Sequence, residues 1–131
     1  MNHIMLDLET FGISNDAAIV SIGAVLFDPV AGLVTDKRFH MHVDLDATPQ
    51  AEAGRIDPGT VYWWLSQSEE ARAALKANPG VALRETLRIF SVWVTEVCAL
   101  SYKTPARLWS NGPTFDEVIL RAAHDRCGIK F

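Results

Sequence analysis

The chain has 131 residues, of which 49% are hydrophobic and 21% charged, and its formal net charge is −4 at pH 7. This composition predicts one globular domain over residues 1–131 and excludes fibrous and disordered proteins. The acidic balance excludes a domain that coats nucleic acid through a broad basic surface, but it allows an enzyme whose carboxylates hold metal ions.

The sequence predicts neither a membrane-spanning segment nor a disulfide framework. The longest apolar runs, such as AAIVSIGAVLF at 17–27, are far shorter than the roughly 20 residues that span a bilayer, and the N-terminus lacks a signal region. We therefore expect a cytoplasmic protein without membrane contact. Cys98 and Cys127 lie far apart and lack metal-ligand spacing, so both are expected to be buried or half-buried thiols.

The first third of the chain predicts three strands joined by short turns. Residues 3–9 alternate in character, which places Asp7 and Glu9 together on the face opposite Ile4, Leu6 and Leu8. Residues 18–28 are nearly all apolar or small, as in a mid-sheet strand covered on both faces. Residues 36–44 alternate like an edge strand with one wet face. These strands predict an antiparallel meander.

Helical patterns follow. Asp57 can cap a helix that has Pro58 at its first position, and SQSE at 66–69 is typical of a capping box for a second short helix ending at NPG, 78–80. Residues 82–100 predict a long helix that packs on the sheet through an apolar stripe formed by Leu83, Leu87, Phe90, Val94 and Val97.

The last third predicts a strand and a helix. Residues 106–110 form the strand, and Thr114 with Glu117 has the spacing of a capping box for a helix that runs to about residue 126. The predicted apolar face of this helix comprises Phe115, Val118, Ile119 and Ala122. The order of elements favours an α/β fold with a mixed sheet.

Three carboxylates require an explanation. Asp is disfavoured in strands, and two adjacent carboxylates need water, cationic side chains or a divalent metal ion. Asp7 and Glu9 alone fit an exposed or ion-paired strand face as well as a metal site. Asp116 falls in the first turn of the last helix, where the helix dipole by itself favours an acid.

Taken together, DLET at 7–10 and NGPTFDE at 111–117 resemble the first and second motifs of the DEDD 3′-5′ exonucleases, which have a ribonuclease H-like fold. The stretches IVSIGAVLFDP, IDPGTVYWWL and RLWSNGPTFDEVILRAAHDRCGI are similar to the phage and bacterial exonuclease branch that includes mycobacterial 3′-5′ exoribonucleases. The resemblance extends over nearly the whole chain. It implies antiparallel strands, a parallel strand and packed helices.

The resemblance also implies a chemistry. Two divalent ions, Mg²⁺ or Mn²⁺, would be held by Asp7, Glu9 and Asp116: Asp7 bridges both, Glu9 binds one, and Asp116 acts on the second directly or through water. The substrates would be the 3′ ends of single-stranded RNA or DNA, with no preference evident between them, and the products nucleoside 5′-monophosphates.

Four further residues are candidates for contact with the terminal nucleotide. Thr10 resembles the Thr of the first motif, Phe11 can line the base pocket, and Asn111 can hydrogen-bond nearby, although ordinary turn roles are open for all three. Trp64 offers a stacking face unless it is core, as does its neighbour Trp63. None of His40, His42 and His124 occupies the base position of the family, so they are expected to be surface or packing residues.

The resemblance ends at the third motif, a His or Tyr followed by the fourth Asp on a C-terminal helix beyond a fifth strand. Residues 1–131 contain no counterpart, so the predicted fold lacks its final strand and helices. A missing general base typically costs about 10²- to 10⁴-fold in rate. We expect either a metal-dependent 3′-5′ exonuclease, or an N-terminal fragment of one with low or absent activity, or a catalytically inactive ribonuclease H-like module that binds nucleic acid or a protein partner. We also expect an exposed sheet edge that favours self-association.

Overall fold

The computed structural model describes residues 1–76, 80–99, 103–112 and 114–131. The strands in these residues are β1 (His3–Thr10), β2 (Ile19–Asp28), β3 (Leu33–Val43), β4 (Gly80–Val81) and β5 (Arg107–Trp109). They form one mixed sheet in the order β4-β3-β2-β1-β5. The first three are antiparallel neighbours, while β5 runs parallel to β1 and β4 parallel to β3. The predicted mixed sheet, with a meander and a parallel strand, is confirmed.

The core lies on one face of this sheet. Ile4, Leu6 and Leu8 of β1 are buried there, as alternation predicts. The same face carries buried side chains of β2, β3 and the helices: Ile22, Ala24, Leu26, Phe39, Leu87, Phe90, Ile119 and Leu120. The prediction that β2 is covered on both faces is wrong. Gly23, Val25 and Phe27 are only half-buried, because these core helices pack on the opposite face.

The helices are α1 (Gln50–Ala53), α2 (Pro58–Leu65), α3 (Glu69–Ala74), α4 (Leu83–Val97) and α5 (Asp116–Cys127). Two short elements, α1 and β4, were not predicted. The cap of α2 is confirmed, since the Asp57 carboxylate accepts the Thr60 amide at 3.0 Å. The stripe on α4 is also confirmed, and Phe39 meets Phe90 edge-on at 5.2 Å between ring centroids.

The predicted capping box at 66–69 is wrong. Ser68 caps α3 by accepting a backbone amide at 3.2 Å. Ser66 instead ends α2, because its hydroxyl donates to the Trp63 carbonyl at 2.7 Å. The helix ends at Ala74, and residues 78 and 79 of the predicted stop, like residue 100 of the predicted long helix, lie outside the described residues.

The start of α5 also differs from the prediction. Phe115 is its N-cap residue and no side chain caps it, so the capping box of Thr114 and Glu117 is wrong: the helix begins one residue too late for that spacing. The predicted apolar face is correct at Ile119 but displaced by one residue elsewhere. Val118 and Ala122 are half-buried, whereas the buried apolar residues are Ile119, Leu120, Ala123 and Cys127.

The remaining expectations at this level concern thiols and membranes. Cys98 and Cys127 are buried and free, as predicted, and burial together with a hydrogen bond to Glu52 raises the pKa of Cys127 to about 11. No helix in the described ranges is both long enough and apolar enough to cross a membrane.

Candidate active site

The site is built on the exposed face of β1. Asp7 and Glu9 project from this face while Leu6 and Leu8 between them point into the core. The β1–β2 register shifts between Glu9 and Thr10, so a bulge ends the regular ladder directly beside the acids. Such bulges bend a strand and redirect its side chains.

Asp116 joins the strand acids through a backbone contact. It is 5% exposed, and its Oδ1 accepts the Leu8 amide at 3.3 Å. The pairing of β5 with β1 reaches only Met5, so the Leu8 amide lies beyond the end of that ladder. The first residue of α5 therefore replaces a strand partner. This hydrogen bond places the helix acid beside the segment between Asp7 and Glu9.

The three carboxylates influence one another. Burial raises the pKa of Glu9, and the charges of Asp7 and Asp116 raise it further, while His40 opposes them. The pKa of Asp116 is raised by burial and by Asp7, against the stabilising hydrogen bond from Leu8. Ionised Glu9 and ionised Asp116 thus each carry an electrostatic cost that a bound cation would relieve.

A cavity of about 520 Å³ adjoins Glu9. It is lined by residues from β1, the turn after it, α2 and the residue before α5, among them Glu9, Thr10, Gly12, Trp63, Trp64 and Phe115. The wall thus combines a carboxylate with aromatic rings, the combination expected where a base and its phosphate meet.

Thr10 and Trp64 form a fixed wall of this cavity. The Thr10 hydroxyl donates to the Gly12 carbonyl at 2.7 Å, which is a turn role. The indole N–H of Trp64 donates to the Thr10 carbonyl at 2.9 Å, and Trp64 is buried. Of the two roles considered for Trp64, a stacking face or a core residue, the structure supports the core residue. Its neighbour Trp63 is 54% exposed.

Phe11 and Asn111 lie apart from that wall. Phe11 lines a second cavity of about 330 Å³ together with His42, Asp44 and Lys76. The 520 Å³ cavity beside Glu9 is lined by other residues, so the prediction that Phe11 lines the pocket at the acids is not supported. Asn111 is exposed in the loop between β5 and α5.

The sequence profile of the 3′-5′ exoribonuclease Rv2179c-like domain matches residues 2–131. The chain belongs to this family. An exodeoxyribonuclease of Enterobacteria phage T4 is 24% identical over 125 residues, covering 92% of this chain and 54% of the phage protein. The exoribonuclease-like chain therefore spans about half the length of that relative.

Two crystal structures share the fold. Cell-death related nuclease 4 (CRN-4) superposes with a TM-score of 0.65 at 12% identity, over 99% of this chain and 41% of that one. The nuclease domain of 3′hExo, a DEDDh family member bound to rAMP, superposes with a TM-score of 0.61 at 13% identity, over 98% and 60% of the two chains. The predicted DEDD exonuclease resemblance and the ribonuclease H-like fold are confirmed.

Exonucleases of the DEDD group use divalent metal ions, and the donor chemistry of this family member fits them. Asp7, Glu9 and Asp116 supply only oxygen, which Mg²⁺ and Mn²⁺ prefer. Within the described ranges, however, no three His, Cys, Asp or Glu side chains converge closely enough to hold an ion. The acids are therefore electrostatic neighbours without a closed coordination shell.

Three residues near this site were not among the predicted site residues. Trp63 and Phe115 line the cavity beside Glu9. The sequence offered Trp63 as an alternative to Trp64 for stacking on a base, and Phe115 only as helix packing. His40 lies within electrostatic reach of Glu9. Alternation had placed His40 on a wet face, but only the strand register shows that the acids share that face.

Proposed function

We propose that this exoribonuclease-like chain carries three acids of a metal-dependent 3′-5′ exonuclease site. The observation that supports it most is the hydrogen bond from the Leu8 amide to Asp116, because it joins the two sequence motifs in space. An acid that served only to stabilise the N-terminus of its helix would not need a hydrogen-bond partner on β1.

Asp7, Glu9 and Asp116 would hold two Mg²⁺ or Mn²⁺ ions in this proposal. Such a pair supplies an activated water and charge neutralisation at the leaving 3′ oxygen. The raised pKa values of Glu9 and Asp116 support the assignment, because burial and the neighbouring carboxylates disfavour the ionised acids and a bound cation would offset that cost.

The residues around the acids would position the terminal nucleotide. Thr10, fixed by its bond to Gly12 and by Trp64, forms a rigid wall beside Glu9. The exposed ring of Trp63 is available to stack on the last base. Attack on the final phosphodiester would release nucleoside 5′-monophosphates from the 3′ end of single-stranded RNA or DNA.

A second candidate is a catalytically inactive module that binds nucleic acid or a protein. The absence of a closed three-ligand group within the described ranges favours it.

Release of mononucleotides from a 3′-labelled single strand in Mn²⁺ or Mg²⁺ tests the proposal. We expect Asp116→Asn to abolish release, whereas Asp125→Asn, an exposed acid on the same helix, retains it. Unchanged release of mononucleotides by Asp116→Asn would contradict the assignment of Asp116 to the catalytic site. Metal-stimulated binding without release in any variant would favour the inactive module.

A further inference from the structure

Three side chains of β3 share the face of the sheet that carries the acids. In the register across the sheet, Asp7 pairs with Gly23, which pairs with His40. One step along, Glu9 pairs with Ser21, which pairs with His42. Arg38 precedes them on the same face by alternation. We call Arg38, His40 and His42 the β3 stripe.

The β3 stripe is close to the acids and little separates them. Neighbouring strands lie about 4.8 Å apart, so β3 is roughly 10 Å from β1. The row between them is low, because Gly23 has no side chain and Ser21 is buried. A Cβ at Gly23 would lie 3.8 Å from the His40 ring and 3.5 Å from the Asp7 carbonyl oxygen. At the Gly23 row, therefore, no side chain stands between Asp7 and His40.

The chemistry of the β3 stripe suits a chain of phosphates. Arg38 is exposed and permanently charged, and its guanidinium matches phosphate geometry. Side chains two residues apart on a strand are about 7 Å apart, similar to successive phosphates of an extended single strand. His40 and His42 contact each other at 4.8 Å between ring centroids. His42 Nδ1 is buried, so Arg38 and His40 are the side chains of the stripe that are exposed to an incoming phosphate.

We propose that the β3 stripe binds the phosphodiester backbone of a single-stranded nucleic acid, one or two nucleotides before its 3′ end. The inference rests on the proposed function, which places that end at Asp7, Glu9 and Asp116. In a chain with a net charge of −4, the exposed guanidinium of Arg38 on the same face as the acids offers an attractive contact to an incoming phosphodiester.

A competing path starts from the other end of β1. His3, Phe27 and Trp109 form an aromatic cluster there, with ring centroids 5.7–6.0 Å apart. Their polar atoms bond each other, since the Trp109 indole N–H donates to His3 Nδ1 at 2.9 Å. This cluster offers a stacking surface for bases, with exposed Arg107 next to His3 as its nearest cation. Trp109→Ala therefore serves as the comparison variant.

Binding of a 5′-fluorescein-labelled 12-nucleotide oligouridylate, followed by anisotropy in EDTA to prevent hydrolysis, tests the stripe. We expect Arg38→Ala to weaken binding about tenfold, as for a lost charge-assisted hydrogen bond, and to reduce the salt slope by about 0.7. Lys37→Ala makes the same charge change on the same strand but on the opposite face, so it is expected to change affinity less than about twofold.

Three outcomes would overturn the stripe: equal effects of Arg38→Ala and Lys37→Ala, loss of binding only in Trp109→Ala, or no binding by the unmodified chain. Kinetics separate this failure from that of the proposed function. For Arg38→Ala, we expect the ratio of KM for a dinucleotide to KM for the 12-mer to fall about tenfold. If the unmodified chain hydrolyses neither substrate yet binds through Arg38, the exonuclease proposal fails and the stripe stands.

Discussion

At the scale of single residues, the strand acids were the most predictable part of the site and their helix partner the least. Alternation alone placed Asp7 and Glu9 on one face, because side-chain direction in a strand has a period of two. The bond between Leu8 and Asp116 joins residues 108 positions apart, and no local pattern encodes it. Motif resemblance supplied that pairing.

The electrostatics of Glu9 lead to a prediction about pH. Its pKa is raised, so the folded chain binds more protons than the unfolded chain between the two pKa values. Stability therefore falls as pH rises through this interval and stays lower above it. We expect Glu9→Gln to raise the thermal midpoint of the metal-free protein near neutral pH, and the gain to vanish at about pH 3, where carboxylates are protonated in both states.

Glu117→Gln is a suitable control for this measurement. The Glu117 side chain is 40% exposed and pairs with Arg121 at 3.0 Å, so its replacement removes a weak attraction instead of a repulsion. If the thermal midpoint of Glu9→Gln near neutral pH is unchanged or lower, the claim that Glu9 lies in a cluster of mutually repelling carboxylates is contradicted.

At the scale of elements, patterns that extend over many residues predicted the structure reliably, whereas patterns of only a few residues did not. The alternation of β1 and the stripe of α4 extend over many residues and were confirmed. The two-residue β4 has no period of its own and forms because β3 offers it a partner at His42 and Val43. Caps failed where helices adjoin or start late, since several Ser and Thr residues satisfy the same spacing.

The contact between α2 and β1 yields the second prediction. The Trp64 indole N–H, bonded to the Thr10 carbonyl, ties α2 to the strand end beside Glu9. Trp64→Phe keeps most of the ring but removes the donor, leaving a buried carbonyl unpaired. We expect a loss of about 1–3 kcal/mol in the free energy of unfolding, measured in urea. The matched change at exposed Trp63 is expected to cost less than about 0.5 kcal/mol.

This pair of variants also separates structure from substrate contact. If Trp63 stacks on the terminal base, Trp63→Phe weakens oligonucleotide binding while leaving stability in place. Equal losses of stability in both variants would show that Trp64 does not hold α2 against β1.

At the scale of the whole molecule, the described sheet has an open edge and an open face. Among the described strands, β5 pairs only with β1, and Trp109 on it is 44% exposed. Unpaired strand edges are templates for association. The self-association that such an edge favours remains a prediction.

Sedimentation velocity tests that association. We expect a concentration-dependent dimer that Trp109→Lys shifts towards the monomer, because a charge on an edge strand opposes strand pairing. Trp63→Lys introduces the same charge away from β5 and is expected to leave the dimer intact. A monomer at all concentrations in the unmodified chain would contradict the prediction.

The central claim, that Asp7, Glu9 and Asp116 together form a divalent metal site, is tested most directly by titrating the chain with Mn²⁺ and following free Mn²⁺ by electron paramagnetic resonance. We predict saturable binding that Asp7→Asn and Asp116→Asn each weaken at least about tenfold, because each removes a charged ligand, while Asp125→Asn matches the unmodified chain. Equal Mn²⁺ binding in all four proteins, or none in the unmodified chain, would contradict the claim.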